Sequence, residues 1–425
     1  MRRVPGLAAW LVLGAAAAGA RAQDAPRGEA IAVAGMAGPY GERLRLDDKG
    51  LTLTFPDDVT LRVGGRLHLD FGAGAVRQPG FGEPFSDAIA VRRSWIETNL
   101  SLGKDVGIGF QYDLADPATP INDAVIVFSG IPSTLLSLGN EKEPFSLDQM
   151  ASNNDILFTE RSLADALVPA RNLGGAIGRH EGAWTFVTGV FGGNANTGIG
   201  GEGVASTSRL TWAPLNDDGR TLHVGLAGSY RSLPRDGSPP ALSSRPEAFL
   251  FTRPLVDTGD IRAAGSIGRI GAEVAYRAGP LLVTAEYIRT EVGRVDGARP
   301  LSFQGGTVQA SWVLNGDNRA YRIAPRFNGT TYAAFGGVKV GEAQRLTRGG
   351  FGVFELAARF SAIDLDDGGV RGGIERNVTV GLSWYPDTNL RIMADYVRSH
   401  AAPSALAGGR GIDADTVIGR FQLSW

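Results

Sequence analysis

Cysteine is absent from this 425-residue sequence, and histidine occurs only four times. Without cysteine there is no disulfide, no thiolate metal site and no cysteine nucleophile. The histidines (68, 180, 223 and 400) form no H-E-x-x-H motif, and there is no G-x-S-x-G elbow and no phosphate-binding G-x-x-x-x-G-K-[ST] loop. No set of residues has the spacing of a known catalytic motif. We therefore predict a protein that is not an enzyme and has no cofactor and no metal site.

Long apolar runs are also lacking, except for one at the N-terminus. Arg2 and Arg3 precede an apolar segment over 7–18, and the residues ARA at 20–22 fit the small-x-small pattern of a cleavage site. The segment is too short to cross a bilayer of about 30 Å, which argues against a membrane anchor. We therefore predict a signal peptide over 1–22, cleaved after residue 22, and no transmembrane helix in the remaining chain.

An excess of positive charge is lacking too. Without the three arginines of the export segment, 39 basic residues stand against 44 acidic ones, a net charge of about −5. Such a chain does not bind nucleic acid through bulk charge. Lysine occurs only at 49, 104, 142 and 339, so 38 of the 42 basic residues in the full sequence are arginine. Either a GC-rich genome or a need for rigid, permanently charged forks that hold anions would produce this bias.

Glycine is abundant, with 60 residues, although each glycine in a helix interior costs about 1 kcal/mol relative to alanine. Strands separated by glycine-rich turns tolerate it better. Residues 60–71, TLRVGGRLHLDF, alternate apolar and polar, which predicts a strand long enough to cross a bilayer at a tilt. The same alternation predicts strands near 91–103, 106–114, 121–129, 182–192, 205–213, 220–231, 267–277, 281–291, 303–314, 351–362, 378–384, 390–396 and 417–425, with a weaker candidate at 331–341.

Two features favour a membrane barrel over a soluble sandwich. Arginine and aspartate recur on the face opposite the apolar one, and aromatic residues cluster near predicted strand ends, as in the interfacial girdles of a barrel. Strand propensity alone would also enrich aromatic residues. The girdle candidates are Trp95, Tyr112, Trp184, Trp212, Tyr230, Tyr276, Tyr287, Trp312, Trp384 and Tyr385.

The C-terminal residues FQLSW end the last predicted strand on an aromatic residue, which resembles the signal read by the outer-membrane insertion machinery. About 400 mature residues over 16 strands leave about 25 residues for each strand and connection, enough for an aqueous channel. We therefore predict an all-β fold, a transmembrane antiparallel β-barrel of about 16 strands over residues 59–425. Residues 23–58 form an N-terminal segment that precedes the barrel and contains a short hairpin in LRLDDKGLTLTF. The sequence does not indicate where this segment lies relative to the barrel.

Arginines recur on the polar faces of the predicted strands. Arg62 and Arg66 lie on the polar face of the first strand, and Arg92 and Arg93 begin the second. Because neighbours in a strand point to opposite faces, one of this pair should face the lumen and the other the lipid or the interface. An arginine facing lipid at mid-bilayer costs about 2–4 kcal/mol, so strand arginines should mostly line the lumen. The further candidates are Arg209, Arg231, Arg245, Arg253, Arg262, Arg269, Arg289, Arg359, Arg391 and Arg420.

A lumen lined by arginine offers bidentate forks to phosphate or carboxylate and a ring of positive charge suited to anions. The alternative is a mixed lumen, in which aspartate and glutamate neutralise the arginines into a transverse field without strong selectivity. The net negative charge of the chain keeps that alternative open, since the acidic residues could lie in loops or in the pore.

One stretch breaks the alternation. Residues 139–163, GNEKEPFSLDQMASNNDILFTERSL, carry five acidic and two basic side chains. So polar a segment cannot face lipid, where its backbone groups would stay unpaired, but it can line a water-filled lumen. We predict an inward-folded constriction loop running roughly from Glu143 to Arg161.

Several motifs, taken in order, resemble the phosphate-selective porin O/P family of Gram-negative outer-membrane proteins. They are VGGRLHLDFG at 63–72, AVRRSWIETNLSLGKDVGIGFQYDL at 90–114, INDAVIVFSG at 121–130, LSLGNEKEPFSLDQMASNNDILFTERSL at 136–163, SRPEAFLFTRPLVDTGDI at 244–261, AEYIR at 285–289 and VGLSWYP at 380–386. They cover most of the mature chain, and 136–163 is the most specific. The resemblance implies a 16-stranded barrel that passes anions, assembles as a homotrimer and narrows its pore with an inward-folded third extracellular loop.

The resemblance also implies site residues. In phosphate-binding members the loop carries a lysine shortly after an aromatic–small–Leu–acid run. Here the run is FSLD at 145–148 and Gln149 stands at the lysine position, so the charge is lost. Charge-assisted hydrogen bonds are roughly twice as strong as neutral ones, so the change weakens a phosphate site. With the lumen arginines, the pore-lining or anion-binding candidates are Arg62, Arg66, Arg92, Arg93, Asp123, Lys142, Gln149 and Arg161.

Three hypotheses about function follow. The leading one is a passive porin in the outer membrane of a Gram-negative bacterium, in contact with outer-membrane lipid and preferring small anionic solutes such as phosphate or polyphosphate. The second is a general porin without a phosphate site, which Gln149 and the net negative charge favour. The third is a surface barrel with an enzymatic or adhesive role, which would not conduct ions.

Overall fold

A computed structural model describes residues 43–47, 50–77, 85, 88–197, 201–295, 297–316, 319–324, 331–404 and 410–425. The predicted signal peptide over 1–22 lies outside these residues, as does 23–42. Within the described ranges most residues lie in strands, and helix is nearly absent. No helix there is long and apolar enough to cross a membrane.

Twenty-two strands are present in the described residues, and sixteen of them close into one antiparallel barrel. The strands are β1 (Arg43–Asp47), β2 (Gly50–Thr54), β3 (Val59–Val76), β4 (Ile89–Leu102), β5 (Val106–Asp113), β6 (Ile121–Phe128), β7 (Thr134–Lys142), β8 (Arg171–Glu181), β9 (Trp184–Phe191), β10 (Val204–Asn216), β11 (Arg220–Ser232), β12 (Ser243–Ser244), β13 (Val256–Asp257), β14 (Ala264–Ala278), β15 (Leu281–Arg294), β16 (Leu301–Val313), β17 (Tyr321–Arg322), β18 (Ala334–Phe335), β19 (Val353–Asp367), β20 (Val370–Asp387), β21 (Leu390–Ser404) and β22 (Arg410–Ser424).

The barrel runs in sequence order through β3–β11, β14–β16 and β19–β22, each strand antiparallel to the next. It closes where β22 pairs with β3, with Arg420 opposite Asp70. The one α-helix in the described residues is α1 (Leu147–Met150), and 3-10 turns occur at Leu163–Leu167, Glu342–Gln344 and Leu346–Arg348. The predicted transmembrane antiparallel β-barrel of about 16 strands is confirmed.

The two faces of the wall differ as the alternation predicts. Large apolar side chains are exposed on the outside, among them Ile126, Leu138, Leu226, Ile270 and Val378. Exposed aromatic residues lie near the strand ends, and Trp184 stacks on Trp212 with ring centroids 5.3 Å apart. Two girdle candidates, Trp95 and Tyr385, are instead buried on the lumen side. The girdle prediction is therefore wrong for those two residues.

Turns at one end of the barrel are short, for example 103–105, 182–183, 279–280 and 388–389, and we call this the short-turn end. The opposite, long-loop end carries the connections 143–170 and 233–263. One connection at the short-turn end is also long. It covers 314–352, and we call it the short-turn insert.

All three long connections contribute residues to the inside of the barrel. The largest apolar cluster packs Phe145 and Leu167 from 143–170 and Phe251 and Leu255 from 233–263 against the lumen face of the wall. In the short-turn insert, Tyr332 donates its hydroxyl to the carbonyl oxygen of Gly178 in β8 at 3.2 Å. The core of this barrel therefore lies in its lumen, and the predicted inward-folded constriction loop is confirmed.

The weaker strand candidate at 331–341 is wrong as a barrel strand. It lies in the short-turn insert, where only Ala334–Phe335 is strand, paired with Tyr321–Arg322. Its apolar residues are buried inside the barrel, not against lipid. The alternation also fails to predict two barrel strands, β7 and β8.

The hairpin of β1 and β2 extends the sheet at the short-turn end. Leu51 in β2 lies opposite Val63 in β3. The C-terminal Trp425 exchanges backbone hydrogen bonds with Gly65, at 2.9 and 3.0 Å. Strand β2 therefore takes the edge of β3 just beyond the point where β22 ends.

Candidate pore constriction

The constriction loop, residues 143–170, is held against the wall of β19–β22 through its backbone. Arg391 in β21 donates to the carbonyl oxygens of Ile156 at 2.7 Å and Leu157 at 2.9 Å. Further contacts of this kind join Arg420 to Thr159 at 2.5 Å, Arg359 to Glu160 at 3.0 Å, and Arg319 of the short-turn insert to Asp155. Arg359, Arg391 and Arg420 face inward as predicted, but they anchor the loop, and Arg319 was not among the predicted lumen arginines.

A carboxylate on a wall strand far along the chain holds the start of the loop. Glu286 in β15 accepts hydrogen bonds from the backbone N–H groups of Leu147 at 2.9 Å and Asp148 at 2.8 Å. These are the first N–H groups of α1, which have no partner within the helix. The wall therefore satisfies backbone groups at the start of the loop.

Two wall glycines make room for aromatic side chains of the loop. A Cβ at Gly271 in β14 would lie 2.9 Å from the ring of Phe145. A Cβ at Gly381 in β20 would lie 3.1 Å from the ring of Phe158 and 2.4 Å from Asp395. A Cβ at Gly271 would force the Phe145 ring to shift, and one at Gly381 would require the Asp395 side chain to move and the Phe158 ring to give by a few tenths of an ångström.

Arg92 and Arg93 both point into the lumen, which corrects the expectation that one of them faces outward. His68 in β3 pairs with Arg93 and Leu69 pairs with Val91, so Arg92 is the extra residue of a β-bulge. A bulge places two residues opposite one and can aim both side chains to the same side. The Nε and Nη2 atoms of Arg92 bind Glu160 at 2.7 and 3.1 Å, and Arg93 Nη1 lies 3.4 Å from His68 Nδ1.

Positive charge exceeds negative charge around Glu160 of the loop. Arg92, Arg93 and Arg420 approach its carboxylate at 2.7, 3.9 and 3.0 Å. Burial raises the pKa of Glu160, but Arg92 and Arg93 outweigh burial and hold the pKa well below its usual range. Asp70 pairs with Arg420 at 2.6 Å. Three guanidinium groups therefore face two carboxylates, a local surplus of one positive charge.

Two further ion pairs lie on the wall of β3–β8 around Trp95. Arg66 Nε binds Glu97 at 2.5 Å, and Arg171 Nε binds Asp123 at 2.7 Å. The guanidinium carbons of the two arginines lie 4.4 and 5.9 Å from the centre of the Trp95 ring. The predicted candidates Arg66 and Asp123 are therefore neighbours, but each has a partner of opposite charge.

Lys142, the last residue of β7, and Arg161, in the loop, both direct their charges at the loop itself. Lys142 Nζ donates to the carbonyl oxygens of Gln149 and Ala151, the latter at 3.0 Å, so it closes the C-terminal end of α1. Arg161 donates to the carbonyl oxygens of Asp148 and Ala151 at 3.0 and 2.9 Å, and to Asn153 Oδ1 at 2.6 Å. Both cations stabilise the turn of the loop.

The remaining two candidates are more accessible. Gln149 is half-buried, and its backbone N–H donates to Ser146 Oγ at 3.2 Å. Arg62 is exposed and shares the face of Arg66 toward the short-turn end, because strand residues four apart lie on one face. Of the eight candidates, the structure groups Arg92 with Arg93 and Arg66 with Asp123.

Asp165, in the 3-10 turn of the loop, makes the docked loop sensitive to pH. Burial raises its pKa from the usual 3.8 to about 6, against the opposing effect of Arg161. Burial thus favours the protonated Asp165 carboxyl. The stability that this protonated group gives to the docked loop is complete below about pH 4 and is lost as the pH rises through about 6. We expect fewer transient conductance steps in single-channel records at pH 5 than at pH 7. In Asp165→Asn the two records should match, and a persisting difference would assign the effect to another group.

Sequence reasoning did not identify Glu97, Glu160, Arg171 and Glu286 as site residues. Glu97 lies two residues after Trp95 and four after Arg93 in β4, so the alternation could have placed all three on the lumen face. Glu160 was contained in the predicted loop, but nothing in the sequence indicates which arginines it meets. Arg171 and Glu286 depend on pairing between distant strands.

Comparisons with known proteins agree with this architecture. The family of phosphate-selective porins O and P matches residues 61–425. Porin O of Pseudomonas aeruginosa is 24% identical over 418 residues, covering 88% of this chain and 90% of that protein. A Caulobacter vibrioides protein of unassigned function is 26% identical over 357 residues, covering 80% of this chain and 68% of its own length.

Solved structures share the fold at low identity. The anion-selective porin from Comamonas acidovorans has a TM-score of 0.53 and 10% identity, covering 86% of this chain and 100% of that chain. The outer membrane channel DcaP of Acinetobacter baumannii has a TM-score of 0.52 and 12% identity, covering 88% and 99%. With the family match over nearly the whole barrel, the chain belongs to the phosphate-selective porin O and P family and is an outer-membrane porin.

Proposed function

We propose that this porin lets small hydrophilic solutes diffuse passively across the outer membrane, with a preference for anions of the phosphate or polyphosphate class. The observation that carries the preference is the positive surplus around Glu160, where Arg92, Arg93 and Arg420 meet on the constriction. A ring of positive charge at the narrowest level raises the local concentration of anions. The exposed Arg62 adds positive charge nearer the short-turn end, away from this group. No catalysis and no energy coupling are involved.

Planar-bilayer recordings of the purified protein test this proposal. In a potassium chloride gradient, the sign of the zero-current potential reports which ion passes more easily. A zero-current potential with the sign of the chloride equilibrium potential supports the anion preference. A zero-current potential with the sign of the potassium equilibrium potential overturns it. A protein that forms no stable pores would instead support the enzymatic or adhesive alternative.

A second candidate is a porin without a phosphate site. Two observations favour it: Gln149 stands at the lysine position, and Arg66, Arg92 and Arg171 each bind a carboxylate. In that case phosphate at low millimolar concentration does not block the chloride current. A clear block by phosphate would remove this candidate.

Gln149→Lys should restore part of the missing phosphate affinity. The new ammonium group would stand on the half-buried outer side of α1, and one charge-assisted hydrogen bond strengthens phosphate binding by about 1–2 kcal/mol, roughly tenfold. The measurement is the phosphate concentration that halves the chloride current. Gln149→Met serves as the matched control, and an equal effect of both variants would contradict a role for the charge.

We further propose a homotrimer exported by the predicted signal peptide into a Gram-negative outer membrane and embedded in its lipid. Strands β5–β7 and β9 have only eight or nine residues, whereas β3 and β20 have 18. The part of the barrel wall that these short strands form is suited to contact with neighbouring subunits. A Vibrio cholerae OmpT structure with a TM-score of 0.50 is described as a trimer form. Light scattering of the detergent-solubilised protein would give the subunit number.

A further inference from the structure

The Arg171–Asp123 ion pair on the wall of β6 and β8 is only partly satisfied. Arg171 Nε binds Asp123 Oδ1 at 2.7 Å. Arg171 Nη1 and Nη2 donate to no group among the described residues, and Asp123 Oδ2 accepts from none there. The side chains are 17% and 24% exposed, so both remain within reach of a solute in the lumen. The pair therefore offers two donors and one acceptor side by side.

Beside the Arg66–Glu97 and Arg171–Asp123 pairs lie a buried donor and a buried acceptor without partners among the described residues. The indole of Trp95 lies 5.9 Å from the Arg171 guanidinium carbon and 4.4 Å from that of Arg66. Trp95 is 4% exposed, and its Nε1–H has no partner within the part of the chain that the structure describes. Gln111 Oε1 is likewise buried without a partner. Buried polar groups without partners are uncommon in native folds and mark sites that a ligand or water completes.

The charges of this patch are balanced. Arg66 and Arg171 stand against Glu97 and Asp123 as two short dipoles, and the nearby ammonium group of Lys142 donates to the carbonyl oxygens of Gln149 and Ala151. A phosphate ion would find donors there but would also meet two carboxylates at close range. A solute that carries one positive and one negative group can align antiparallel to an ion pair and meet both of its ends.

We propose that this patch is a binding station for α-amino acids, with the solute carboxylate on Arg171 and the solute ammonium on Asp123. In an α-amino acid only two bonds separate the nitrogen from the carboxyl carbon, about 2.5 Å apart, which matches a contact ion pair. Amino acids with more widely separated charges do not fit. The proposal rests on the proposed porin function and adds zwitterionic α-amino acids to the solutes that the pore passes.

Block of the chloride current by matched probes tests the proposal in the wild-type protein. The probes are glycine, acetate, methylammonium and 4-aminobutanoate at neutral pH. We expect glycine to halve the current at a concentration about fivefold lower than the other three, since it alone meets both ends of the pair. Equal block by glycine and acetate would overturn the proposal and indicate an anion site. Equal block by glycine and 4-aminobutanoate would overturn the close spacing of the two groups.

A variant separates this station from the rest of the pore. Asp123→Asn keeps the shape but removes the charge that receives the ammonium, so glycine block should weaken about fivefold while acetate block stays or strengthens. Asp217→Asn, which changes an exposed ion pair at the short-turn end, is the control and should behave as wild type. Unchanged glycine block in Asp123→Asn would overturn the assignment. Absence of any chloride current in the wild type would overturn the porin function instead.

Discussion

Replacing Arg391 with methionine is expected to release the constriction loop and open a wider channel. Arg391 is buried and supplies two of the hydrogen bonds that hold the loop backbone, to Ile156 and Leu157. Methionine fills a similar volume but donates nothing, which leaves two buried carbonyl groups unpaired at about 1–3 kcal/mol each. Single-channel records should then show an additional, larger conductance level that the wild type rarely visits.

Two matched variants make this result interpretable. Arg391→Lys keeps the charge and can satisfy one carbonyl group, so it should restore the wild-type level in part. Arg289→Met removes an outward-facing, exposed arginine that pairs with Glu291, and should leave the conductance unchanged. If Arg391→Met conducts as the wild type does, the loop is held by its apolar contacts and not by its backbone hydrogen bonds.

Replacing Arg319 with methionine is expected to have the largest effect on stability. Arg319 is 1% exposed and joins three parts of the lumen. It binds Glu355 on the wall at 2.7 and 2.9 Å and the hydroxyl of Tyr385 at 3.1 Å, and it donates to the carbonyl oxygen of Asp155 in the constriction loop. Breaking a buried pair on one side costs about 3–5 kcal/mol, because among the described residues Glu355 then keeps one cation, Arg391 at 3.8 Å. The thermal unfolding midpoint should fall, and the short-turn insert should leave the lumen.

The double variant Arg319→Met, Glu355→Gln separates the two consequences. Removing the carboxylate that lost its partner should recover much of the lost unfolding temperature. The conductance should remain above that of the wild type, because the insert stays detached from the lumen. Arg348→Met, within the same connection but 40% exposed, is the control. Recovery of both properties in the double variant would mean that charge, not the Arg319 contacts, keeps the insert in place.

The alternation of side chains predicted most of the barrel because it is a local property. Each wall strand has one face toward lipid and one toward the lumen, and this repeats every two residues. In β3, Arg66, His68 and Asp70 are buried on the lumen side, and Phe71 is exposed outside. Such a pattern needs no knowledge of the neighbouring strand.

The same pattern failed where its assumption failed. In β8, Leu173 and Ile177 are the exposed apolar residues, and glycines between them weaken the signal. At 331–341 the apolar residues are genuine, but Tyr332 and Phe335 are buried inside the lumen rather than against lipid. At Arg92 one extra residue in a bulge shifted the phase of the alternation. A two-residue repeat contains no information on any of these three outcomes.

The sequence by itself determined that this chain forms a membrane barrel, which faces of its strands are polar, and that the segment near 143–161 lies in the lumen. Only the tertiary structure decided which charges remain available to a solute. Arg391 meets Ile156 across 235 positions of the chain, and Arg420 meets Asp70 across 350. Residues so far apart in the sequence meet because the barrel closes with β22 beside β3. The arginines that anchor the loop and those that face the solute have the same local sequence pattern, and only their distant partners distinguish them.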